Sequence, residues 1–101
     1  MINIKYTPYR LKVTGHAMSA PNGQDLVCAG VSTLVTTLGE MLGERADMLD
    51  VCALKMVEGD ADIYVVPKKG NEYKIKLICD TILTGLKLVH QSFPEYIQLD
   101  C

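Results

Sequence analysis

The sequence predicts an α+β domain with one sheet and two helices in the order β-β-α-β-β-α-β. Three observations carry this. Short alternating apolar runs occur near both ends and in the middle. Two longer stretches place apolar residues at helical spacing. Pro, Gly and Asn fall between these blocks. The chain has 101 residues, 49% hydrophobic and 22% charged. That suits a single globular domain over residues 1–101 with one modest core.

Ile2 to Tyr6 alternates, with Ile2, Ile4 and Tyr6 on one face. Thr7-Pro8-Tyr9 supplies a turn, and Arg10 to Thr14 alternates again with Leu11 and Val13 inward, so a hairpin is expected. Gly15 to Gln24 is a polar loop with no apolar period. From Asp25 the pattern turns helical: Val27, Val31, Leu34, Val35, Leu38, Met41 and Leu42 form one stripe about 120° wide. Gly43 is the expected stop. Gly30 and Gly39 each cost this helix about 1 kcal/mol relative to alanine, which implies a close neighbour at those points.

Glu44 to Asp50 reads as a polar connection. Val51–Val57 and Asp62–Val66 flank Glu58-Gly59-Asp60 as a second hairpin, closed by Pro67-Lys68-Lys69-Gly70. Asn71 is the expected N-cap of the next helix. That helix carries Ile75, Ile78, Cys79, Ile82, Leu83, Leu86 and Val89 on one face. Tyr73, Leu77, Thr84 and Leu88 form a second line, either scattered surface residues or a homodimer contact. Phe93-Pro94 ends it, and Glu95 to Leu99 is a final strand.

The formal net charge is −2. A large basic footprint is therefore absent, and no direct nucleic-acid partner is expected. The apolar runs read as too short to cross a bilayer, and Met1 to Lys5 alternates like a strand rather than a signal peptide. A cytoplasmic protein with no membrane partner is expected. Cysteines at 28, 52, 79 and 101 lack CxxC spacing, and metal binding through His16 and Cys28 would need two further ligands. Neither a metal nor a cofactor is expected. Cys52 and Cys79 lie in apolar segments and read as small core residues; Cys101 is terminal.

The chemistry concentrates between Thr14 and Ser32. Asp25, Cys28 and Ser32 share one helix face, turned about 110° from the centre of the core stripe. Cys28 thus sits on the shoulder of the buried face. With the helix starting near Asp25 it falls in the first turn, where backbone N–H groups are free and the dipole favours an anion. His16 lies twelve residues upstream, on a loop able to fold back. Such a pair has the parts for acyl transfer: thiolate attack, with imidazolium protonating the leaving amine. The N–H of Cys28 is a candidate oxyanion donor. Asp25 caps a helix without any catalysis, and Ser32 can simply bond back to its own helix.

Gly15-His16-Ala17, followed by Gly23-Gln24-Asp25-Leu26-Val27-Cys28-Ala29-Gly30-Val31-Ser32, closely resembles the signature of the Prp (YsxB-like) family of bacterial ribosomal-processing cysteine proteases. The similarity extends to the hairpin before His16, to Thr84-Gly85-Leu86 and to Phe93-Pro94-Glu95-Tyr96. Gly30 stands where the family commonly has alanine, and Met18 to Asn22 is not closely matched. The resemblance implies a homodimeric, α/β/α-like sandwich with one central sheet between helices. It implies Cys28 as nucleophile and His16 as its partner, with Asp25 and Ser32 at the remaining polar positions, orienting His16 or binding substrate. It also implies a substrate: the N-terminal extension of large-subunit ribosomal protein twenty-seven, cut after an aromatic-rich segment, with an apolar groove beside Cys28. A non-catalytic ribosome-assembly binding module is the alternative; the small size, acidic balance and second apolar line suit it. The polar loop is expected to be mobile in the free protein and to close on substrate.

Overall fold

The structure, a computed structural model, describes residues 1–15, 23–57 and 59–101, with residues 23–25 through their backbone. The elements are β1 (Ile2–Thr7), β2 (Arg10–Thr14), α1 (Gly23–Glu44), a 3-10 turn (Ala46–Met48), β3 (Leu49–Val57), β4 (Asp60–Pro67), α2 (Glu72–Ser92) and β5 (Ile97–Asp100). The expected order holds. The five strands form one mixed sheet, β3-β4-β2-β1-β5. Only the β1–β5 pair is parallel, with Ile2 beside Ile97 and Ile4 beside Leu99.

The sheet buries one face. Ile4 pairs with Val13 and Tyr6 with Leu11 across the first hairpin. Leu11 in turn pairs with Ile63, and Val13 with Ala61. These positions join Val27, Val31, Val35, Leu38 and Leu42 of α1, and Ile75, Cys79, Ile82 and Leu86 of α2, in one core. Both helices therefore lie on the same side of the sheet and pack on each other. They meet tightly at Gly85, where an added Cβ would stand 2.8 Å from Leu34 Cδ2. Within a single chain the layers are sheet and helix. Among the described residues no layer covers the opposite sheet face, as antiparallel sheets permit. It carries Lys5, Lys12 and an Arg10–Asp62 ion pair at 2.8 Å.

Several local details differ from the sequence reading. The first turn bends through Pro8-Tyr9, and Tyr9 takes the left-handed conformation (φ 67°). Its carbonyl accepts from Val65 N–H at 3.0 Å, which holds a backbone shape that a non-glycine residue rarely adopts. Asn71 occupies the N-cap of α2 without a side-chain capping bond. The Glu72 carboxylate instead accepts from Gly70 N–H at 2.6 Å, which ties down the turn that leads into the helix. Helix α1 runs one residue past Gly43, which has an ordinary helical backbone and where an added Cβ would stand 3.7 Å from Leu54 Cδ1. An added Cβ at Gly30 would meet Val89 at an ordinary 3.6 Å, so no crowding demands glycine there.

Cys79 is buried and Cys52 is exposed. The expectation for Cys52 fails because β3 is an edge strand reaching beyond the helices. Its helix-facing side chains lack a full covering layer. The membrane expectation also needs correcting. Leu26–Glu44, with a mean hydropathy of 1.5, is long and apolar enough to span a bilayer by composition alone. Small neutral residues (Ala29, Thr33, Thr37) occupy its outer face where charges would otherwise interrupt the count. In this fold its apolar stripe is consumed against the sheet and α2.

Candidate active site

Cys28 is half-buried and packs against the edge of the core, while Ser32, one turn further on, is exposed. Both line a cleft of roughly 250 Å³ between α1 and one end of the sheet. Val31 and Val35 complete the helix wall. Ile2, Val13 and Ala61 form the floor, and Met56, Val57, Gly59 and Asp60 close the far side. A groove is therefore present beside Cys28, apolar along the sheet floor and polar at Ser32, Thr36 and Asp60.

Gly15 also lines this cleft. It ends β2 with φ 88°, and its N–H donates to Gly59 O at 3.0 Å. A Cβ at position 15 would collide with the carbonyl oxygen of Met1. Left-handed backbone and steric exclusion thus both demand glycine directly before His16. The glycine of the Gly15-His16-Ala17 motif is explained by geometry.

His16 and the loop as far as Asn22 lie outside the described residues, as does the side chain of Asp25; so does the expected closure of that loop. The structure brings together Cys28, Ser32 and Gly15. One expectation about Cys28 is overturned. Helix α1 begins at Gly23, so Cys28 is its sixth residue and lies in the second turn. Only the first four N–H groups of a helix lack internal partners, and that of Cys28 is not among them. In this structure it is taken up inside the helix. The sequence placed the start too late because Gly23 and Gln24 carry no apolar period, and a polar first turn is invisible to a hydrophobic stripe.

The contrast with Cys79 is chemical. Burial pushes the Cys79 thiol up to about 11, with the nearby Asp80 carboxylate adding to it. That thiol stays protonated at neutral pH. Beside it, burial above all, then Cys79 and Asp80, holds the Tyr6 phenol well above its usual range. The Tyr6 hydroxyl donates to Asp80 Oδ1 at 3.4 Å. This buried pair is structural, whereas Cys28 opens onto a cleft.

The residues that sequence reasoning missed are Met56, Val57 and Asp60. The hairpin tip folds back to the far wall of the cleft because β4 sits between β3 and β2. One signal was available: Val51, Leu54, Met56 and Val57 break strict alternation, so β3 is apolar on both faces.

Comparison with known proteins agrees with this arrangement. Two ribosomal processing cysteine proteases Prp are similar over nearly their whole length. The Mycoplasma pneumoniae protein is 26% identical over 102 residues, covering 99% of this chain and 94% of that one. The Mycoplasma genitalium protein is 26% identical over 100 residues, covering 99% and 95%. A crystal structure of a Streptococcus mutans protein superposes with a TM-score of 0.74 at 26% identity, covering 99% of this chain and 92% of that one. The essential ribosomal processing protease Prp of S. aureus, solved with a substrate peptide, shares the fold at a TM-score of 0.75 and 20% identity, over 98% and 95% of the two chains. The family model for cysteine protease Prp matches residues 1–98, and with a half-exposed cysteine opening into an apolar cleft, the chain belongs to that family of cysteine proteases.

Proposed function

We propose that this protein is an endopeptidase that removes the N-terminal extension of large-subunit ribosomal protein twenty-seven during ribosome maturation in the cytoplasm. One observation carries the reading: Cys28 faces an apolar cleft whose rim includes Gly15, the residue bonded to His16.

In this reading the Cys28 thiolate attacks the scissile carbonyl carbon. His16, as imidazolium, gives its proton to the departing amine, leaving an acyl thioester on Cys28. Neutral His16 then takes a proton from water as the water oxygen attacks the thioester. The carboxylate product leaves and the thiolate–imidazolium pair is restored. Ser32, exposed on the cleft wall, binds the substrate backbone or orients His16 together with Asp25. The apolar walls suit an extension rich in apolar and aromatic side chains. Incubation with a peptide spanning the extension junction tests the reading. The native protein should cut once and Cys28→Ala not at all; an intact peptide with the native protein, or equal cutting by Cys28→Ala, rejects it.

A further inference from the structure

We infer that the outer edge of β3 is the track on which an extended substrate strand pairs before entering the cleft. This rests on the peptidase reading and adds where the substrate binds. The sheet has two edges, β3 and β5. Strand β5 has four residues and β3 has nine. At its hairpin end β3 contributes Met56 and Val57 to the cleft that holds Cys28. A strand laid along this edge therefore runs directly into the site.

The hydrogen-bond parity identifies the groups that receive it. Val65 N–H points toward the first hairpin, donating to Tyr9 O. By alternation Ala61 and Ile63 also bond toward β2. Asp60, Asp62 and Tyr64 then bond to β3, at their partners Val57, Lys55 and Ala53. The N–H and C=O groups of Cys52, Leu54 and Met56 are left pointing away from the sheet. These are unpaired edge groups of the kind that bind peptides by strand addition.

The side chains at the same positions fit the chemistry of the substrate. Cys52, Leu54 and Met56 pair with Val65, Ile63 and Ala61, so they lie on the helix-facing side. Leu54 is 38% exposed and Met56 41%. Met56 lies over Gly39 of α1, whose added Cβ would stand 3.2 Å from its sulfur. The occupant is an extended peptide with apolar side chains at alternate positions, set beside Leu54 and Met56. A flexible thioether there accommodates side chains of differing shape.

Steady-state cleavage of the junction peptide tests this with two variants. Leu54→Pro removes an outward N–H and no bond to β4, and proline is tolerated where an edge N–H faces solvent. Leu54→Ala keeps the N–H and trims only the side chain. One lost hydrogen bond corresponds to roughly a fivefold to tenfold rise in KM for Leu54→Pro, with kcat little changed. Leu54→Ala should raise KM by only about twofold. Thermal melts establish that both variants fold. If the proline variant does not fold, amide exchange in the Cys28→Ala protein decides: added peptide should protect Leu54 and Met56. Unchanged KM in a folded Leu54→Pro protein, or unchanged exchange at both amides, overturns the inference and leaves the peptidase reading standing. A shift of Leu54→Pro from dimer to monomer with unchanged KM also overturns it, assigning the edge to a second copy. Failure of the native protein to cut the peptide overturns the peptidase reading and this inference with it.

Discussion

Gly30→Ala should stabilise the protein. Gly30 lies two residues after Cys28, on the side of α1 that faces α2. Its backbone is helical, so alanine brings no conformational strain. Replacing a mid-helix glycine with alanine gains about 0.8–1 kcal/mol from backbone propensity. The new methyl would meet Val89 Cγ2 at 3.6 Å and Cγ1 at 3.9 Å, ordinary contact distances. Partial burial of that methyl adds a few tenths of its full value of about 0.8 kcal/mol. The sum is about 1–1.5 kcal/mol, or roughly a 4–8 °C rise in Tm per kcal/mol for a domain of this size. Urea unfolding at pH 7 measures it: the midpoint should move upward with an unchanged slope. Gly85→Ala is the internal control. It adds the same propensity, but its methyl would stand 2.8 Å from Leu34 Cδ2 and 3.1 Å from Cδ1. Leu34 must turn aside, so this variant should come out at least about 1 kcal/mol less favourable than Gly30→Ala. Destabilisation by Gly30→Ala, or equal effects of the two substitutions, would refute the packing described for α1 on α2.

Three further outcomes are expected. Because the fold raises the Cys79 thiol from 9.0 to about 11, its contribution is fully present below pH 9 and is lost as pH rises toward 11. The loss amounts to about 2–3 kcal/mol. Cys79→Ala should flatten urea-measured stability between pH 9 and 10, below the 10.0 at which an unperturbed phenol such as Tyr6 in the unfolded chain titrates; a fall as steep as the parent's would contradict this. Added junction peptide should slow amide exchange over residues 16–24 of the Cys28→Ala protein, and unchanged exchange there would dismiss loop closure. On α2, Tyr73, Leu77 and Leu88 are 75%, 54% and 57% exposed. We expect a homodimer through this line, separable by Leu77→Glu in size-exclusion chromatography with light scattering; a monomeric parent at micromolar concentration rules it out.

The elements, and the shared position of Cys28 and Ser32 on one wall of the cleft, were legible in the sequence for local reasons. Period-two runs at Ile2–Tyr6 and Leu11–Val13, and the stripe from Val27 to Leu42, each depend on neighbours a few residues apart. The Gly15-His16-Ala17 and Cys28–Ser32 motifs are equally local. Strand order is not: nothing near Cys52 tells that β3 lies at an edge, since that follows from β4 pairing with β2. The same long-range pairing carries Met56 and Asp60 to the cleft, where no spacing rule would place them. The start of α1 was hidden for the opposite reason. Its first turn has no apolar residue to reveal a period.

The parallel pair of Ile2 with Ile97 joins the two extremities of the chain. During synthesis the first strand can zip onto the second at once, but its other margin stays bare until Ile97 has been added. At about 5–20 residues per second that wait lasts roughly 5–20 s. Ile2 forms part of the floor of the cleft that Cys28 lines. The floor of the cleft is therefore braced on both margins only after β5 has been made.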